Sequence, residues 1–395
     1  MKIILSKSHF FLITEQTIWS SFNFFIAIFV FRNLDLRVAA AVGVNLVAMY
    51  GIISILRNFV SGIFLNKGFS TTDFALHLIL NNVIKKCLKC SPLIFILMIA
   101  SSVVTNISYQ NAIYLVFIAV FFLFVDNIRQ VYIAYHNFGF LIFQSLLSVG
   151  ASLVISFSFL RNSYLPLSIW SLTYSFFTFF TIIYLSLKKT LFGQEIDIYI
   201  KEGFQSLVVE SFFNHSLFYL FNLILLLIDP DFCGEIRIYT IWIVSAASTL
   251  YATLNTEFTL KLVNRLSTKS EQRWLNLFCI AVLLLFSCLY FFSGDGGIVP
   301  DEPKHVFNLL GVVASSASYF IHSRIAVLYY HYMTNVRLVV SRFTTWILLL
   351  GNILFFTFVA GSFGFLFSAI GSLFFSFYLY ESALTNSKLV DGAAP

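Results

Sequence analysis

Few charged side chains stand deep inside the long apolar runs of this 395-residue chain: Glu15, Arg57, Asp126, Arg129, Glu210, Glu257 and Arg324. An ionised group in hydrocarbon costs roughly 2.5–3.5 kcal/mol on insertion scales, so such residues face a partner or a water-filled cavity. Their chemistry is limited to a few kinds. Arginine forks hold phosphate or carboxylate through paired hydrogen bonds. A secluded carboxylate exchanges a proton or a sodium ion. Arg129, Arg324 and Arg57 are therefore candidate substrate-binding residues, and Glu15, Glu210 and Asp126 candidate ion-coupling residues. No catalytic residue, metal site or cofactor is expected, and no phosphate-cradling glycine loop is present that would point to ATP as the energy source.

Two of these residues recur at a fixed offset. Arg129-Gln-Val-Tyr-Ile-Ala-Tyr135-His136 and Arg324-Ile-Ala-Val-Leu-Tyr-Tyr330-His331 each carry an Arg six residues before a Tyr-His pair, 195 positions apart. The same offset carries Glu15 onto Glu210. This reads as an internal duplication, with a buried acid and a buried Arg in each half. His136 and His331 fall at the ends of their runs, as interfacial Tyr-His caps.

The elements that position these groups are membrane spans. The chain is 59% hydrophobic and only 11% charged, too little charge for a soluble surface. Apolar stretches of about 20 residues, each long enough to cross about 30 Å of hydrocarbon, recur to the end of the chain. Spans are expected at 10–31, 38–65, 91–107, 111–135, 140–160, 165–187, 204–228, 236–262, 274–292, 306–330, 337–360 and 363–380. The stretch 71–90 reads as an amphipathic surface helix leading into the third span. Cys87-x-x-Cys90 in it reads as a reduced thiol pair rather than half of a zinc site.

The fold class expected is thus all-α: a polytopic membrane protein with twelve transmembrane helices in two parallel-repeat six-helix lobes around a central cavity. The lobes are 1–187 and 204–380, joined by a polar linker, 188–203, and followed by a tail, 381–395. Lys and Arg collect at the termini and the even-numbered loops, so both termini are expected in the cytoplasm. The net charge of +6 belongs to these loops and does not call for nucleic acid.

At about 1.5 Å per residue, Glu15, Glu210, Arg129 and Arg324 share one layer in the cytoplasmic half. Two readings stay open. In one, Glu15 with Arg129 and Glu210 with Arg324 pin helices together. In the other, both Args converge on the cavity and hold an anionic headgroup, since duplicated transporters bind at the repeat interface. Asp126 and Arg129, three apart on one helix, are expected to bridge locally. Asn23, Asn45, Asn214, His215 and Asn222 are expected to pack helices first and line a cavity second.

The run Glu15-Gln-Thr-Ile-Trp-Ser-Ser-Phe-Asn23-Phe24 followed by Arg32-Asn-Leu-Asp35 resembles the opening of Wzx-type polysaccharide flippases. These belong to the multidrug/oligosaccharidyl-lipid/polysaccharide exporter superfamily. The twelve spans, the joining loop after span 6 and the Arg near the end of span 4 are similar to that family as well. The resemblance implies an alternating-access flippase in the bacterial inner membrane. Its cargo would be an undecaprenyl-pyrophosphate-linked oligosaccharide for O-antigen or capsule assembly, handed to polymerase machinery. It places Arg129 and Arg324, with Arg57, on the pyrophosphate and sugar acids. Protons or sodium ions would bias the cycle, and membrane lipids would surround the slot for the polyprenyl tail.

Two other classes compete. A cation-coupled drug exporter of the same superfamily would use acids more than Args. A membrane polysaccharide polymerase or ligase needs a large outer loop, and the longest outer loop here, 293–305, has only 13 residues by these span limits.

Overall fold

The computed structural model describes residues 11, 14, 15, 17–19, 21–23, 26, 34–60, 76–135, 137–159, 165–191, 204–244, 247, 268–293, 303–332 and 335–385. These are helical apart from short turns, and no strand occurs among them. The helices are α1 (Leu36–Val60), α2 (Leu76–Val104), α3 (Tyr109–Ala134), α4 (Phe138–Phe159), α5 (Leu165–Leu187), α6 (Phe204–Ile228), α7 (Pro230–Tyr239), α8 (Lys269–Ser293), α9 (Pro303–Tyr332) and α10 (Asn335–Thr385). A five-residue π-helix, Thr240–Val244, continues α7. The described positions between Phe11 and Ile26 are helical as well. Seven helices among the described residues are long and apolar enough to cross a membrane. The protein is an all-α, multi-pass membrane protein.

Local chemistry sets the helix ends. Thr268 and Glu271 form a reciprocal box at the start of α8: the Glu271 amide donates to Thr268 Oγ1 and the Thr268 amide to Glu271 Oε2, both at 3.2 Å. Asp229 caps α7 by accepting from the Phe232 amide at 3.0 Å, with Pro230 in the first turn, where no amide is needed. One residue therefore separates α6 from α7, and the segment before 236 that reads as loop is helix. In α10 the helix breaks at Ala360 and at Gly361, whose φ is +56° and ψ −135°. Only glycine adopts that backbone readily. The expected boundary between the last two spans falls at this break.

A further expectation is overturned. The described part of the segment 71–90, from Leu76, is not a separate surface helix: it runs unbroken into the following span as α2. Ile79, Leu80, Val83, Ile84 and Cys87 recur at three- and four-residue spacing, and all are buried. That stripe packs the start of α2 against α1 and α3, while Leu88, Leu93, Phe95 and Ile96 face outward. Pro92 sits inside the helix without ending it.

The chain divides into two compact units, Met1–Tyr219 and Leu220–Pro395. In the first, α4 and α5 meet along a seam of small polar residues. Ser145, Ser148, Ser152 and Ser156 are buried on α4, and Gln144 donates to the Phe177 carbonyl and to Thr181 Oγ1, each at 2.6 Å. Small residues let backbones approach, and cross-helix hydrogen bonds hold them where lipid gives no hydrophobic drive. In the second unit, Ile321 and Ile325 of α9 pack on Tyr380, Ala383 and Leu384 of α10.

Candidate functional site

Glu15 and Arg129 meet in the first unit. Arg129 Nε donates to Glu15 Oε1 at 2.6 Å and Nη2 to Oε2 at 2.9 Å, a fork-to-carboxylate arrangement. Glu15 is fully buried, and the Arg129 side chain is 13% exposed. The guanidinium also lies over the Trp19 ring, 5.3 Å from its centroid, four residues after Glu15. One cation is thus held by a carboxylate and a ring from the same stretch of helix.

Asp126 does not bridge to Arg129 as expected from their spacing. Its Oδ2 accepts from Arg57 Nε of α1 at 2.5 Å. Arg129 already has its fork directed at Glu15, so Asp126 takes the cation offered by the neighbouring helix. The two pairs alternate in sign across three helical segments: Arg57 of α1, Asp126 and Arg129 of α3, and Glu15. The four formal charges cancel. The Arg57 side chain is 36% exposed, the most accessible of the four. His215 of α6 lies nearby, with its Cβ 3.0 Å from where a Cβ on Gly51 would sit.

Around this quartet is an aromatic layer. Trp19 contacts Tyr174 and Phe177 at centroid distances of 5.6 and 5.5 Å. Phe122 stacks on Tyr174 at 5.2 Å and meets Tyr50 edge-on at 5.5 Å. Asn23 Oδ1 accepts from Trp170 Nε1 at 3.1 Å and from Tyr174 Oη at 2.9 Å, and Trp19 Nε1 donates to Ser145 Oγ at 2.9 Å. Asn23 and Asn45 thus bridge helical segments. Asn45 Nδ2 donates to Thr105 Oγ1 at 2.6 Å.

In the second unit Arg324 is buried, and its Nη2 donates to Gln272 Oε1 of α8. It emerges from α9 between Ile321 and Ile325, beside the cluster containing Tyr380. Glu210 falls in α6, with its side chain outside the described set. Glu257 and His136 lie outside the described residues, as do the side chains of Asn214 and His331. No cluster of metal-binding side chains occurs among the described residues.

Sequence reasoning does not find Trp19, Gln272, Glu235 or His305. Trp19 has a usable signal, its spacing of four from Glu15. Gln272 has none, because a lone amide near a span end reads as surface. Glu235 and Arg237 look like loop charges, yet both are buried in α7.

No known family model matches the chain, and no curated protein matches it. Solved structures do. The chain is similar to a MATE multidrug transporter, DinF-BH, solved in complex with a bound compound, with a TM-score of 0.58 and 13% identity over 97% of this chain and 96% of that one. It is also similar to a multidrug resistance MATE family transporter of the MOP superfamily in its inward-facing conformation. There the TM-score is 0.54, with 12% identity over 94% of this chain and 96% of that one. At such identities the likeness concerns the fold, and it extends over nearly all of both chains. The chain has a MATE-type fold.

Proposed function

We propose that this chain is a secondary transporter that exports an amphipathic organic cation by alternating access. The observation that carries the reading is charge cancellation. Arg129 is tied to Glu15 and Arg57 to Asp126 within one unit, so this layer offers no surplus positive charge to a pyrophosphate. What surrounds it is aromatic, with Tyr50 exposed on the same helix as Arg57. Aromatic faces suit a cation with an apolar body. The MATE-type fold supports the same class, since the similar structures are those of multidrug transporters.

Protons or sodium ions are the proposed coupling ions, with Glu15, Asp126 and Glu210 as their carboxylates. Glu15 and Asp126 each hold an Arg from another helical segment. Protonating either would release that Arg, which links ion binding to a helix contact. The expected lobes, 1–187 and 204–380, the linker 188–203, the tail 381–395, a bacterial inner-membrane location and cytoplasmic termini belong to this proposal. Cells expressing the chain should accumulate less of a fluorescent lipophilic cation than cells expressing Asp126→Asn at equal protein level. Equal accumulation would remove the reading.

A second reading has one observation in its favour. Arg57 remains reachable although paired, and the Glu15–Asp35 run resembles the flippase opening. Under it the cargo is an undecaprenyl-pyrophosphate-linked oligosaccharide for O-antigen or capsule, passed to polymerase machinery, with Arg57, Arg129 and Arg324 on the headgroup. A flippase-deletion strain that regains surface glycan with the wild type but not with Arg57→Ala would support it. No rescue by the wild type would exclude it in that host.

A further inference from the structure

We propose that Glu235 and His305 form a proton-binding clasp that fastens α7 and its π-helical continuation to α9. The two residues are 70 positions apart, on different helices, and His305 Nδ1 lies 2.7 Å from Glu235 Oε1. The Glu235 side chain is 10% exposed and that of His305 19%, so the imidazole is the more accessible of the two groups. Neither residue belongs to the Glu15–Arg129 and Arg57–Asp126 pairs, and neither has a counterpart in the 195-residue repeat: their offset positions are Ala40 and Gln110.

The place of the clasp gives it a consequence. Glu235 stands five residues before the π-helix Thr240–Val244. Single π turns are rare, open the backbone hydrogen-bond ladder, and cluster at functional positions. This one packs against both α8 and α9. Tyr239, one turn beyond Glu235, is fully buried and meets Tyr290 of α8 edge-on at 5.4 Å. Among the described residues, Tyr239 of its own helix and Tyr290 of α8 interact with the Glu235 carboxylate, and Lys304 precedes His305 in α9. Cys233 and Arg237 are buried elsewhere on α7, and Asp229 and Asp231 stand at its start. His305 is the ionisable side chain that the hydrogen bond places on Glu235.

An imidazole changes charge between about pH 5 and pH 8. While it is protonated, the contact is a charge-assisted hydrogen bond to a carboxylate, stronger than the neutral bond that remains after the proton leaves. The clasp is accordingly tight on the acid side of this range and looser on the alkaline side.

Hydrogen exchange on the intact protein in detergent tests this, with rates divided by the unstructured-peptide rate at each pH. In the wild type, protection of residues 230–244 should fall about tenfold from about pH 5.5 to about pH 8.5. Residues in α5, away from the pair, should not change. In His305→Gln the fall should vanish, and in Glu235→Gln as well, which keeps a hydrogen-bonding group but removes the charge. A flat profile in the wild type, or the same fall in either variant, would overturn the clasp.

Discussion

Arg129 and Glu15, 114 positions apart, face each other fork to carboxylate at 2.6 and 2.9 Å, with the acid wholly buried. A buried ion pair adds little net stability over an apolar pair of the same shape, but breaking it by removing one partner strands the other charge. Arg129→Ala should therefore lower stability by about 3–5 kcal/mol. The double variant Glu15→Gln, Arg129→Met should lose clearly less than the single. Thermal melts in detergent measure both. A double variant that loses as much as Arg129→Ala would show that the pair's charges are not what matters.

Arg129→Lys asks a narrower question. A lysine keeps the charge but offers neither the paired hydrogen bonds to both oxygens of Glu15 nor the guanidinium's contact with the Trp19 ring. It should fall between wild type and Arg129→Ala, with a change in Trp fluorescence as the ring loses its cation. An unchanged melt and spectrum would mean the geometry contributes nothing beyond charge.

The break in α10 is enforced by glycine at two positions. Gly361 has φ of +56°, which a side chain resists, and a Cβ on Gly364 would collide with the Phe356 carbonyl oxygen. Backbone cannot yield as a flexible side chain can. Gly361→Ala should cost about 1–3 kcal/mol from local strain. Gly364→Ala should cost more and change the angle between the two arms. Paired spin labels on either side of the break measure the distance. Wild-type stability and distance in Gly364→Ala would contradict the close approach.

Asn23 serves two donors with one oxygen, Trp170 Nε1 and Tyr174 Oη. Asn23→Leu leaves both without that acceptor inside the bundle, at a cost of about 1–3 kcal/mol for each group left unsatisfied. Asn23→Asp keeps the acceptor and should retain the Trp170 emission of the wild type. Equal loss in both variants would assign Asn23 to packing alone.

Much of this is legible in the sequence, for identifiable reasons. Glu15 and Arg129 stand out because an ion inside a 20-residue apolar run has few places to go, and equal depth pairs them. The break at Gly361 is visible because an apolar run of that length exceeds one crossing. Asp126 escapes a reading by spacing, because three residues on a helix permit a bridge without requiring one, and tertiary contact with Arg57 wins. The start of α2 misleads because Lys85, Lys86 and Lys89 dominate the eye, whereas Ile79, Leu80, Val83 and Ile84 dominate the packing. Glu235 and His305 are invisible because a one-residue connection at Asp229 leaves no loop between two helices, and because nothing in sequence brings residues 70 positions apart together.

The central claim concerns the charge of the cargo. Purified protein in sealed vesicles, with an inward-directed or outward-directed proton or sodium gradient, can be offered a lipophilic cation dye and, separately, a polyprenyl-pyrophosphate-linked oligosaccharide. Export of a cation predicts gradient-dependent movement of the dye, lost in Asp126→Asn, and no movement of the lipid-linked sugar. Translocation of the lipid-linked sugar with the dye left behind would contradict the account.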